Sequence, residues 1–246
     1  MKDLKIKYLN FVRSILNFFD FFQQKTILNF LKKKLDKDIV FFDVGAHYGE
    51  SVKLFSNKFT IKECHCFEAS PLNFKILRKN IDGLNIKKNF FLNKVGVGST
   101  NKSSFINQTK ESSSSTINDF NFESKYLKRK LKILNINNKD HYFEKIPIKI
   151  ISLDEYVKKA KIKKIDLLKI DTEGYEFDVI KGMGTISNII KFIYFEHHYD
   201  DMIKKNYNFR DINSILIKYG FRKIFKSKMY FRKSFEYIYE NINLSK

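Results

Sequence analysis

Apolar positions along this chain change their period near residue 36. Residues 4–35 place Leu4, Tyr8, Phe11, Val12, Ile15, Leu16, Phe19 and Phe22, then Ile27, Leu28, Leu31 and Leu35, at helical spacing. That pattern predicts two short helices, the second ending in the basic turn Lys32 to Lys34. From Ile39 to Val44 the run IVFFDV is continuously apolar and stops at Gly45, as a strand buried on both faces would. Strand and helix patterns then alternate. A helix is expected over Glu50–Phe59, a strand over Lys62–Phe67, a helix over Pro71–Asn80 and a strand over Phe90–Val97. Ser99 to Asn118 is polar and reads as a loop, with a basic helix after it from about Phe122 to Leu134.

Ile146–Ile151 is the next expected strand, and Ser152 with Glu155 forms a capping box opening a helix over Leu153–Lys161. Ile165–Ile170 is a strand, Tyr175–Lys181 a helix stopped at Gly182, and Ile189–Phe195 a strand running into Glu196-His197-His198. The helix Arg210–Tyr219 and two aromatic strands, around Phe221–Phe225 and Phe235–Tyr239, close the chain. Alternating elements of this kind give a Rossmann-like α/β fold, a mostly parallel sheet with an antiparallel strand near the C-terminus. Two units are expected, an N-terminal helical segment over residues 1–36 and the α/β domain over residues 37–246.

Composition adds limits. The 246 residues are 43% hydrophobic, with only 9 Gly and 2 Pro, which excludes a disordered chain. The net charge of +20 invites a nucleic-acid partner. The lysines are spread along the chain, however, and no nucleic-acid-binding spacing accompanies them, so nucleic acid is not the expected ligand. An anionic glycan or a peripheral contact with anionic membrane fits the charge better. Cys64 and Cys66 fall on one face of a strand with His65 opposite, which reads as core packing in a reducing compartment. No apolar stretch approaches the ~20 residues of a membrane span, and no signal-peptide pattern is seen. A cytoplasmic, at most membrane-peripheral, location is expected.

Three expected strands end in acids: Asp43, Glu68 and Asp171. Ligands of open parallel sheets bind outside the carboxyl ends of the strands, so three acids at three such ends converge on one site. The first turn, Asp43-Val44-Gly45-Ala46-His47-Tyr48-Gly49, has G-x-x-x-G spacing rather than the G-x-G-x-x-G of dinucleotide binders. A carboxylate just before that turn repels a pyrophosphate and suits a ligand with a positive amino or sulfonium group. S-adenosylmethionine is favoured over NAD on this ground. Glu68, 25 positions beyond Asp43, is placed to accept hydrogen bonds from ribose hydroxyls.

These blocks resemble the FkbM-type methyltransferases. The carriers are FFDVGAHYGES (41–51), CFEASPLNF (66–74), GVGS (96–99), SLDEY (152–156), LLKIDTEGYEFDVIKGM (167–183) and IYFEHH (193–198). The chain departs from that pattern at His47, at Ser99 and in the basic insert 119–145. The resemblance implies O-methylation of a hydroxyl on a sugar, glycan or glycolipid. It implies cofactor binding by Asp43, Gly45, Ala46, Gly49, Glu68, Ala69, Ser70 and Asp171. Glu173, Glu196, His197 and His198 are the candidate catalytic residues facing the acceptor, a histidine being the favoured base, and no metal site is expected. Two other readings are an RNA methyltransferase, from the charge, and a non-catalytic membrane-surface scaffold. Intact acids at all three strand ends argue against the scaffold.

Overall fold

A computed structural model describes residues 23–84, 89–136, 138, 141–229 and 233–244. The first of the two expected helices lies outside these residues. The second is present as α1 (residues 23–32).

The continuous apolar runs become the centre of a seven-stranded sheet. β1 (Asp38–Val44) pairs in parallel with β2 (Thr60–Phe67) on one side and β7 (Ile165–Ile170) on the other. β3 (Phe90–Asn93) lies outside β2, and β8 (Ile190–His198) lies beside β7. β10 (Ser234–Asn241) runs antiparallel to β8 and to the edge strand β9 (Phe221–Lys228). The spatial order is therefore β3-β2-β1-β7-β8-β10-β9.

Helices cover both faces, which is why buried apolar residues of the central strands point to both sides of the sheet. Side chains alternate between the layers. Phe41 and Leu167 pack with Ile27, Leu28 and Leu31 of α1, Val52 and Phe55 of α2 (Glu50–Ser56) and Leu77 of α3 (Pro71–Gly83). Phe42 and Leu168 face the other way. Their neighbours are Leu153 and Val157 of α5 (Leu153–Ala160), Val179 of α6 (Glu176–Lys181) and Leu216 of α7 (Phe209–Lys218). Cys64 and Cys66 are buried and unbridged, with sulfurs 3.6 Å apart, so they fill core.

The middle of the chain differs from the sequence pattern. The strand expected over 90–97 divides, β3 joining the main sheet and β4 (Gly96–Val97) joining a second, three-stranded sheet. The polar stretch after it is no plain loop. It contains β5 (Lys102–Thr109), antiparallel to β6 (Phe143–Ile151). The first half of β5 is exposed, so it carries no apolar alternation to detect. Its buried half is polar, and Asn107 pays for burial by donating to the Asn118 carbonyl at 2.8 Å. α4 (Lys125–Leu134) follows, its Leu127 and Leu131 packing with Phe120, Tyr142, Met202 and Ile203 in a small separate core. This insert reaches over the carboxyl ends of the main strands. No helix among the described residues is long and apolar enough to cross a membrane.

Candidate active site

From β1 the chain winds outward to β2 and β3, then returns to the other side of β1 as β7. A crevice opens at such a reversal. Here it is a cavity of about 360 Å³, within the size range of small-ligand sites. One end is lined by Gly45, Ala46, Glu68 and Ala69, and the other by Tyr194, Glu196, Met229 and Glu236. Lys169, Asp171 and Glu173 lie between.

The turn after β1 is shaped by close approach. Gly45 has φ 83°, and a Cβ there would stand 1.8 Å from the carbonyl oxygen of Asp171. The Gly45 and Ala46 amides donate to the Phe67 carbonyl at 2.9 and 3.0 Å. The turns after β1, β2 and β7 are thus locked together. Asp43 sits behind this wall rather than in it. It is fully buried, and neither carboxylate oxygen makes a hydrogen bond. Burial pushes its pKa up to about 6 despite the Lys169 ammonium 3.8 Å away. Lys169 reaches Asp171 at 2.9 Å, and burial of its ammonium is more than offset by these two carboxylates.

Glu68 lines the cavity and also ties two turns together. One oxygen accepts the His47 amide and the other the Ser70 amide, both at 2.8 Å. Burial holds its carboxyl up at about 7 against those two amides. Gly49 and Ser70 do not line the cavity. Gly49 (φ 88°) caps α2 against Leu77, and the Ser70 hydroxyl caps α3 by accepting from the Asn73 amide at 3.1 Å.

The turn after β7 is held from beneath by Glu176. One of its oxygens accepts from the Thr172 amide (3.2 Å), the Thr172 hydroxyl (3.1 Å) and the Gly174 amide (2.9 Å). The other accepts from the Tyr207 hydroxyl at 2.7 Å. Glu173, between these anchors, adopts φ 50°, an unfavourable region for a side chain with a Cβ. Its carboxyl is raised to about 7, chiefly by burial, with His198 pulling it down and Asp171 and Glu196 pushing it up.

β8 carries its last residues to opposite faces, which separates the two histidines. His197 points into the α7 layer among Tyr199, Tyr207 and Phe209, and burial lowers its pKa to about 3. It does not line the cavity. His198 points towards the acids, 3.5 Å from Glu196, 3.7 Å from Glu173 and 3.6 Å from Asp200. Burial opposes its charge, but these carboxylates raise its pKa to about 10. The carboxylates around it favour its charged form, which suits His198 to holding them in place rather than to the neutral-base role expected from sequence. Glu173 and Glu196 do line the cavity. Among the described residues, no group of acids, histidines and cysteines has the arrangement to hold a metal ion.

The segment just after β5 closes the site from above. Ser112, Ser115, Thr116 and Ile117 line the cavity. The Ser112 hydroxyl bonds His47 Nε2 at 2.8 Å and the Tyr48 hydroxyl at 2.9 Å, while Thr116 donates to the Glu173 carbonyl at 2.7 Å. Sequence reasoning missed Ser112, Thr116, Lys169, Glu176 and Glu236. Glu176 had a signal, an acid two residues past a Gly-containing turn at a helix start. Lys169 had another, a lysine inside a mostly apolar central strand.

Residues 43–223 match the family model described as the methyltransferase FkbM domain. A curated relative, the hexuronic acid methyltransferase AglP of Haloferax volcanii, is 26% identical over 71% of this chain. The chain spans 62% of that relative's length. Among solved structures, the FkbM methyltransferase of Methylobacillus flagellatus superposes with a TM-score of 0.53 at 15% identity, over 83% of this chain and 45% of that one. The magnesium protoporphyrin IX methyltransferase of Synechocystis, solved with S-adenosylmethionine, gives 0.53 at 9% identity, over 94% and 84%. Fold and family model agree: this chain belongs to the FkbM methyltransferase family.

Proposed function

We propose that this chain transfers a methyl group from S-adenosylmethionine to a hydroxyl of a carbohydrate. The observation that carries this reading is the placing of Glu173 midway along one continuous cavity, between the Gly45–Glu68 end and the Glu196–Glu236 end.

The first end fits the cofactor. Gly45, without a Cβ, lets the turn after β1 close on the Asp171 carbonyl and line this end, Glu68 offers carboxylate oxygens to hydroxyls, and Asp171 offers negative charge to a cationic ligand. Asp43 adds a buried charge that no hydrogen bond satisfies. S-adenosylmethionine supplies the activated methyl group as a sulfonium. The protein's own tasks are to orient the acceptor, exclude water and take the hydroxyl proton. Glu173 takes that proton, because a carboxyl near 7 is matched to neutral operating pH. His198 and the Glu176-held turn position it. The hexuronic acid named in the Haloferax relative supports a sugar as the acceptor class.

Labelled S-adenosylmethionine incubated with glycan, lipid and RNA fractions tests the reading, with label expected in glycan. Glu173→Gln should lower transfer by ~10²-fold or more while the cofactor still raises the melting temperature. A loss under tenfold would remove Glu173 as the base. No thermal shift with the parent protein would sink the methyltransferase reading.

A further inference from the structure

Glu196 and Glu236 face each other directly across the β8–β10 ladder. Like charges in that relation destabilise a sheet, and this pair is also buried, at 8% and 7% exposure. Glu196 Oε1 makes no hydrogen bond although it is buried, and both residues line the cavity. The cations nearby are committed elsewhere. Lys169 is held by Asp171 and Asp43, and His198 is shared among Glu196, Glu173 and Asp200. Among the described residues no cation stands within ion-pair distance of Glu236. Its carboxyl is raised to about 8, by burial and then by Glu196, with the Tyr194 hydroxyl bonded to it.

The pair belongs to the acceptor end. β10 lies two strands from β7, about 10 Å at ordinary strand spacing, and further still from the β1 turn. We infer that the acceptor is a sugar bearing an ammonium group, recognised by Glu196 and Glu236, and that a sugar bearing a carboxylate is rejected. The inference rests on the methyl-transfer reading and narrows its acceptor class. An ammonium has three donors and no acceptor, matching two facing carboxyls of which Glu236 has no cation within ion-pair distance among the described residues and Glu196 only a share of His198. A carboxylate would add a further like charge to a water-poor wall already holding Glu173, Glu196 and Glu236. The acceptor would then differ in charge from the hexuronic acid named in the Haloferax relative.

The chain as a whole carries +20, so a uronate gathers on its outer surface while the cavity refuses it. The test must separate these two effects. Calorimetric titrations at about 150 mM salt would compare a glucosamine trimer, its N-acetylated neutral form and trigalacturonate on protein saturated with S-adenosylhomocysteine. The glucosamine trimer should bind at least about tenfold more tightly than either of the others. That preference should fall below about threefold in E196Q/E236Q, which keeps side-chain shape and relieves the repulsion, while surface binding is common to both proteins. Retained thermal stabilisation by S-adenosylmethionine shows that the double variant is folded. Equal binding of the three sugars, tightest binding of trigalacturonate, no binding of any, or an unchanged preference in the double variant would each overturn the inference. Loss of the cofactor shift in the parent protein would instead strike at the methyltransferase reading.

Discussion

Lys169 Nζ stands 2.9 Å from a carboxylate oxygen of Asp171 and 3.8 Å from one of Asp43, so a single buried ammonium serves acids of β1 and of the turn after β7. Lys169→Met keeps the side-chain volume and strands both acids. At pH 8 the variant should lose roughly 3–5 kcal/mol of stability, measured by urea unfolding. At pH 5 the loss should shrink, because Asp43, already raised to about 6, takes up a proton. The same loss at both pH values would mean that Lys169 acts by packing and not by charge.

Asp43, Glu68, Glu173 and Glu236 all have raised pKa values, at about 6, 7, 7 and 8. A carboxyl raised in the folded state contributes stability that is present in acid and lost as pH climbs from its unfolded value through its folded one. The ligand-free protein should therefore lose stability between about pH 4 and pH 8. A cationic cofactor favours the ionised acids. Its melting-temperature shift should grow from pH 5.5 to pH 8, and its binding should release protons, seen as a dependence of binding heat on buffer ionisation. A shift that falls with pH contradicts this electrostatic account.

Most of the sheet was legible in the sequence because its central strands are buried on both faces and its helices on one. IVFFDV and IDLLKI admit few other readings. The second sheet was not legible, since β5 is exposed in one half and, apart from Ile106, polar in the other. The cofactor end of the site was legible in part. Acids at strand ends pointed to it, but Asp43 lies buried behind the cavity wall rather than in it. The acceptor end depends on Glu236, whose role arises from an antiparallel pairing with Glu196 that sequence spacing does not encode. The two histidines part for a local reason. A run of two histidines on a strand divides between faces, and here one met aromatic rings and the other three carboxylates.

Glu176 accepts four hydrogen bonds from the turn that carries Glu173 and from Tyr207. Glu176→Ala leaves the Thr172 and Gly174 amides without their partner, at about 1–3 kcal/mol each where water does not replace it. Turnover should fall at least about tenfold with a smaller change in cofactor affinity, as Glu173 loses its fixed backbone. Glu176→Gln, which retains one accepting oxygen, should restore part of that rate. Equal damage from both variants would show that the charge of Glu176, and not its grip on the turn, is what matters.

The imidazolium of His198 lowers the pKa of Glu173. His198→Gln removes it, so the Glu173 pKa should rise and the acid limb of the kcat/KM profile should move to higher pH. His197→Phe should leave that limb in place, because His197 lies in the aromatic layer under α7. A limb that stays put in His198→Gln would detach it from the proton-accepting group.

The β1–β7 seam joins segments far apart along the chain; the Val40 amide, for example, donates to Asp166 across 126 positions. Closing so distant a pairing costs loop entropy that is met before its contacts form. The cofactor end of the cavity spans the same seam, with Gly45 on one side and Asp171 on the other. A ligand seated there touches both halves of the sheet and so adds its own contacts to a junction that the chain closes only over a long loop.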